Sequence, residues 1–124
     1  MTETEEKAGF PRQFDIWLAR VPLTESPSLE RHEIRPILIV SNNKANQFSN
    51  TLTVVPITTR QKKPLPTHVQ LFVPGRRMTK STALCENLQS LHRRYLINRM
   101  GIIEKEAQER LKKALLVQLD IRSV

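Results

Sequence analysis

The chain has 124 residues and is 39% hydrophobic, enough for one core and hardly for two, so a single domain is expected. Twenty Lys and Arg against twelve Asp and Glu give a formal charge of +8, and three of the acids, Glu3, Glu5 and Glu6, stand in the first six residues, which leaves the remainder more basic still. That surplus points to a polyanionic partner, nucleic acid first or else an acidic protein segment. The single cysteine, Cys85, excludes an internal disulfide, and no stretch approaches the roughly 18 apolar residues of a spanning helix. The acidic N-terminus is unlike the basic start of a signal peptide, so a soluble, cytoplasmic protein without a membrane partner is expected.

Residues 1–12 are polar, close on Gly9-Phe10-Pro11-Arg12 and read as a flexible tail, with the domain running from 13 to 124. Phe14-Asp15-Ile16-Trp17-Leu18-Ala19 is short and apolar and stops before Pro22, as a strand would. A long Pro-, Ser-, Thr- and Glu-rich loop is expected from Val21 to Ile34, of a length that is often functional. Ile37-Leu38-Ile39-Val40 reads as a buried strand, ended by the turn signal Asn42-Asn43. Thr51 to Thr58 repeats the strand composition, with Pro56 tolerable only at an edge or bulge. After a basic, Pro-broken loop, His68 to Val73 alternates as a strand, and Thr82 to Glu86 and Asn98 to Ile103 add two more. Glu104 to Leu119 lacks Gly and Pro and sets Ala107, Leu111, Ala114, Leu115 and Leu119 at helical spacing, an amphipathic helix. The fold expected is mainly β, a bent antiparallel sheet or barrel with a C-terminal helix packed on it.

Several strings, in order, resemble the MazF/PemK family of toxin ribonucleases across Phe14 to Leu119. They are Asp15-Ile16-Trp17-Leu18, Arg35-Pro36-Ile37-Leu38-Ile39-Val40-Ser41-Asn42, Val54-Val55-Pro56-Ile57-Thr58, Leu65-Pro66-Thr67-His68-Val69, Glu86-Asn87-Leu88 and the helix entered through Met100-Gly101. Each string alone is weak, and their joint order and spacing are specific. The resemblance implies an SH3-like barrel of the MazF/CcdB kind. It implies a homodimer that cuts single-stranded RNA at a short sequence without a metal or other cofactor, leaving 2′,3′-cyclic phosphate and 5′-OH ends. It also implies a cognate acidic antitoxin that blocks the RNA groove. The alternatives are a non-enzymatic toxin of the same fold that binds a topoisomerase, and a basic nucleic-acid-binding module.

The family's catalytic arginine and threonine map to Arg35 and Thr58. Arg35 suits a doubly charged phosphorane because its planar guanidinium can hold two oxygens, and Thr58 can donate a hydroxyl to the same phosphate. For the general base the first candidate is His32, with Glu30 or Glu33 able to orient it or to act instead. Most members carry a glycine-containing stretch here, where this chain has Arg31-His32-Glu33-Ile34. Thr59, Arg60, Gln61, Lys62, Lys63, Leu65, Pro66, Thr67 and His68 are expected to form an RNA-contacting wall, with Leu65 or His68 stacking on a base. Glu86, Asn87 and Gln89 resemble the cluster that reads base edges, Gln89 standing where an arginine is usual. Arg76, Arg77, Lys80, Arg93, Arg94 and Arg99 add charge at a groove or its rim, Trp17, Phe48 and Phe72 are assigned to the core, and Cys85 is read as a buried filler. The three histidines lie far apart without metal-ligand spacing, so no metal site is expected.

Overall fold

The structure is a computed structural model that describes residues 9–22, 32–75 and 79–122. Its elements in chain order are β1 (Asp15–Pro22), β2 (His32–Ile39), helix α1 (Asn43–Phe48), β3 (Thr51–Thr58), β4 (His68–Val73), β5 (Thr79–Leu84), β6 (Gln89–His92), β7 (Leu96–Ile102) and helix α2 (Lys105–Leu119). Short 3-10 turns at Cys85–Asn87 and Arg93–Tyr95 flank β6. All strand pairs are antiparallel, in the order β4-β5-β3-β2-β1-β7, with β6 on β3. The two ends of that order are drawn together where Pro74, just after β4, packs on Gly101 of β7 so closely that a Cβ at Gly101 would meet the proline Cγ at 2.6 Å. The sheet is therefore a half-barrel carrying a C-terminal helix, the mainly β architecture expected from the sequence. No helix among the described residues is long and apolar enough to cross a membrane.

The apolar run in β2 has a direct cause: this strand is buried on both faces. Leu38 joins the larger core with Ile16, Val55, Ile57, Val69 and Leu71, onto which α2 lays Ala107, Leu111 and Ala114. Ile37 and Ile39 point the other way, into a smaller core with Ala19, Val21, Leu52, Val54 and Leu91, covered in part by Trp17, Tyr95 and Leu96. Asp15, fully buried at the start of β1, ties that strand to β7. Its carboxylate accepts the Arg12 N–H at 2.9 Å, the Trp17 indole N–H at 3.2 Å and the Arg99 Nε–H at 3.1 Å.

Five expectations change. The loop expected over Val21 to Ile34 is shorter, because Val21 and Pro22 pair with Glu33 and His32 and extend the β1–β2 ladder; residues 23–31 lie outside the described ones. Asn42 does not turn the chain but caps α1, its side chain accepting the Ala45 N–H at 2.8 Å. Strand β3 is central rather than an edge: it pairs with β6 through Val54 and with β5 from Ile57, and Pro56 falls in the gap between the two partnerships, where its missing N–H is tolerated. Phe48 and Phe72 are surface residues, 75% and 50% exposed, since Phe72 alternates outward from buried Leu71 and Val73. The end of α2 also departs from a single stripe, with Leu119 exposed beside the left-handed C-cap Asp120.

Candidate active site

The β2–β3 register sets Ile37 against Pro56 and Leu38 against Val55; continued outward by two residues, it sets Arg35 against Thr58. On either side the ladder continues, with Arg35 opposite Ala19 of β1, Thr58 opposite Thr82 of β5, and Thr82 opposite Gln70 of β4. Residues opposed in antiparallel strands point to one face and stand about 5 Å apart. Thr58, Thr82 and Gln70 thus form one row across β3, β5 and β4, along which Gln70 Nε2 donates to Thr82 Oγ1 at 3.2 Å, and Arg35 stands two residues outward from the last β2–β3 pair. Thr58 Oγ1 accepts the Arg60 N–H at 3.1 Å, which leaves its own hydroxyl proton available to a ligand. Arg35 donates through Nη2 to Glu33 Oε1 at 2.6 Å.

Past Thr58 the row opens into a cavity of about 350 Å³, lined by Thr59, Arg60, Gln61 and Lys62 on one side and by Gln70, Lys80, Ser81 and Thr82 on the other. Its charged groups are Arg60, Lys62 and Lys80, all cations, so it suits a phosphate-bearing chain. Of the stretch Thr59 to His68 expected as an RNA-contacting wall, Thr59 to Lys62 line one side of this cavity, and β4 and β5 supply its opposite side. Leu65 is half exposed and Pro66 exposed, both beyond the cavity.

A second polar cluster lies where the strand direction of β5 is broken before β6. The Cys85 N–H donates to the Thr67 carbonyl at 3.0 Å, which brings the 3-10 turn Cys85–Asn87 alongside Thr67 and His68. There Glu86 is held at both oxygens, Oε1 by the Thr67 hydroxyl at 2.9 Å and Oε2 by His68 Nε2 at 2.8 Å. Burial pushes the Glu86 carboxyl up, but its backbone N–H, the His68 and Thr67 hydrogen bonds and the attraction of His68 outweigh this and hold it below the ordinary 4.5. Neighbouring Cys85 is fully buried, and burial together with the charge of Glu86 raises its thiol to about 11, so it is a filler and not a nucleophile. Asn87 is exposed, and Gln89, opposite Val54 on β3, reaches the Asn87 carbonyl at 3.4 Å.

The fold thus places Thr58 beside the Thr59–Lys62 stretch with Arg35 two residues outward from the last β2–β3 pair, and groups Thr67, His68, Glu86, Asn87 and Gln89 at the ladder break. His32 has its ring 5.2 Å from that of Tyr95, which packs on the smaller core, while the Arg35 guanidinium engages Glu33. The His68 side chain, only 7% exposed and facing Glu86, offers no open ring for stacking. Glu30, Arg76 and Arg77 lie outside the described residues. Gln70 and Thr82 were not singled out from the sequence; the outward alternation of His68, Gln70 and Phe72 is the one signal that marks Gln70. Among the described residues no group of three or more His, Cys, Asp or Glu could hold a metal ion.

Residues 12–119, which take in the row, the wall and the ladder break, match the PemK-like, MazF-like toxins of type II toxin-antitoxin systems. The chain belongs to this family. It is 27% identical over 115 residues to the endoribonuclease MazF of Staphylococcus saprophyticus, covering 91% of this chain and 94% of that one. Its fold is shared with an endoribonuclease from a mycobacterial species solved in complex with its cognate antitoxin, at a TM-score of 0.70 and 21% identity over 92% of this chain and 99% of that one. The Mycobacterium tuberculosis toxin MazF-mt6 is similar too, with a TM-score of 0.71 and 24% identity over 88% and 99% of the two chains.

Proposed function

We propose that the chain is a sequence-specific endoribonuclease, the toxin of a type II toxin-antitoxin pair. It cuts single-stranded RNA by attack of a ribose 2′-OH on the adjoining phosphate, leaving 2′,3′-cyclic phosphate and 5′-OH ends. The observation that carries this reading is the row of Thr58, Thr82 and Gln70 leading into a cavity whose charged groups are all cations, with Arg35 two residues outward from the last β2–β3 pair. Arg35 holds the phosphate oxygens and stabilises the charge that builds on them, and it hydrogen-bonds the departing 5′ oxygen. Thr58 donates its hydroxyl to the same phosphate. The attacking group belongs to the substrate, and the guanidinium supplies positive charge at the phosphorus, so this chemistry requires no cofactor.

In the same reading Arg60, Lys62 and Lys80 neutralise flanking phosphates, while exposed Leu65 packs on an unpaired base. Glu86, Asn87 and Gln89 take the base edges, with Thr67 and His68 fixing the Glu86 carboxylate as an oriented acceptor. The protein works as a homodimer in the cytoplasm, as the resemblance implies. Its inhibitor is a cognate antitoxin with an acidic segment that lies along the cationic groove; a structural relative is solved with its own cognate antitoxin.

The test is to incubate a long, unstructured RNA with the purified protein in EDTA, beside Arg35→Ala, and to map the ends produced. Cuts at one short recurring sequence with cyclic phosphate and 5′-OH termini are expected, reduced at least about 100-fold in the variant. Folded, antitoxin-free protein that binds RNA or a topoisomerase but cuts nothing would overturn the assignment.

A further inference from the structure

Glu33 and Arg35 sit two residues apart on β2, on the same face, with Glu33 Oε1 2.6 Å from Arg35 Nη2. Both side chains are 40% exposed, so the pair is open to a ligand rather than sealed in the fold. Glu33 engages one of the guanidinium's five N–H groups, and the others remain for phosphate oxygens. A phosphate gripped by Arg35 therefore lies beside a carboxylate that the same guanidinium holds in place. Resting on the ribonuclease reading above, we infer that Glu33 is the general base that takes the proton of the attacking 2′-OH.

Of the other candidates, His32 has its ring engaged 5.2 Å from that of Tyr95, whereas it is the Glu33 carboxylate that meets the Arg35 guanidinium. In the step, the 2′ O–H bond breaks and its proton passes to Glu33 as the 2′ oxygen bonds to phosphorus. The P–O5′ bond then breaks, the leaving oxygen takes a proton from water while Arg35 hydrogen-bonds it, and Glu33 returns its proton to water. Glu33 pairs across the ladder with Val21 of β1, whose face carries uncharged Ala19, while Thr58 at the end of β3 is uncharged as well. The remaining titratable groups at this end of the sheet are Tyr95, packed on the smaller core that includes Val21, and His32, His92 and Arg94 around its ring.

The experiment compares the full chain with Glu33→Gln and Glu33→Asp on two RNAs, one natural and one with sulfur in place of the scissile 5′ oxygen, a leaving group that needs no proton. Glu33→Gln is expected to cut natural RNA about 100- to 10,000-fold more slowly and to stay as impaired on the sulfur RNA, because only deprotonation of the 2′-OH is lost. Glu33→Asp keeps a carboxylate and should recover part of the rate. Binding of an RNA with 2′-H at the cut nucleotide should be unchanged in Glu33→Gln. Three results overturn the inference while leaving the ribonuclease reading intact. In the first, Glu33→Gln is as fast as the parent or faster, which makes the pair a brake on Arg35. In the second, sulfur restores the variant, which makes Glu33 an acid. In the third, weaker binding accounts for the whole loss. Absence of cleavage by the parent protein overturns both readings together.

Discussion

Glu86 concentrates much of the site's electrostatics in one side chain. Its carboxyl lies below the ordinary value when folded, so it contributes stability above the unfolded pKa and loses that contribution as pH falls through the folded one. Unfolding curves recorded from neutral pH down through the carboxylate range should therefore steepen in acid for the parent and less for Glu86→Gln. An identical acid dependence in the two proteins would show that the Thr67 and His68 bonds do not favour the charged form. Cys85 gives the complementary expectation: a buried thiol raised to about 11 should resist alkylation at neutral pH until the protein unfolds. The first property is not legible in the sequence, because Thr67-His68 and Glu86 meet only through the β4–β5 pairing, whereas the burial of Cys85 is what its apolar strand leads one to expect. Glu33 illustrates a different obstacle. Its neighbour is on its own strand, yet the i, i+2 contact becomes visible only once His32-Glu33-Ile34 is assigned to β2 instead of a loop.

Among the elements, those with strong patterns were readable. The run Ile37-Leu38-Ile39 announced a strand buried on both sides, and the spacing of Ala107, Leu111 and Ala114 announced the face of α2. Helix α1 escaped because six residues are too few to display a helical period, and β6 because Gln89-Ser90-Leu91-His92 offers a single apolar residue. The Asn42 cap carries a measurable consequence: Asn42→Ala should lower stability by about 1 kcal/mol in urea titration, with the α1 amides exchanging sooner. Gly101→Ala should cost more, about 1–3 kcal/mol, since the added methyl would collide with the Pro74 ring, which has no rotamer in which to retreat. Stability unchanged in that variant would mean that the two edge strands are not clamped there.

At the scale of the whole molecule the dominant fact is its charge of +8, which composition alone displayed but could not place. The fold gathers Arg60, Lys62 and Lys80 around one cavity, from β3–β4 and β5 residues distant in sequence. If these groups contact phosphates, the affinity for single-stranded RNA should fall with salt, and each of Lys62→Ala and Lys80→Ala should flatten the logarithmic slope by about 0.7. Unaltered slopes would place the RNA elsewhere. Arg35 and Thr58 were found by the resemblance of short strings in order; their chemistry alone did not separate them from other surface arginines and strand threonines. The structure adds the row that joins Thr58 to Thr82 and Gln70, which depends on strand register and so on partners far along the chain.

The break between β5 and β6 separates two kinds of constraint. Arg35 is held in register by its pairing with Ala19 of β1, where a shift of one position would turn its side chain to the opposite face. Glu86 and Asn87, in contrast, stand on a 3-10 turn that interrupts a ladder, and Gln89 opens the short strand after it. Residues at such an interruption can be exchanged without re-registering the sheet. On the function proposed above, selectivity is thus free to drift under mutation while the reactive centre stays fixed, and one scaffold can acquire new RNA targets by a few substitutions at a single turn.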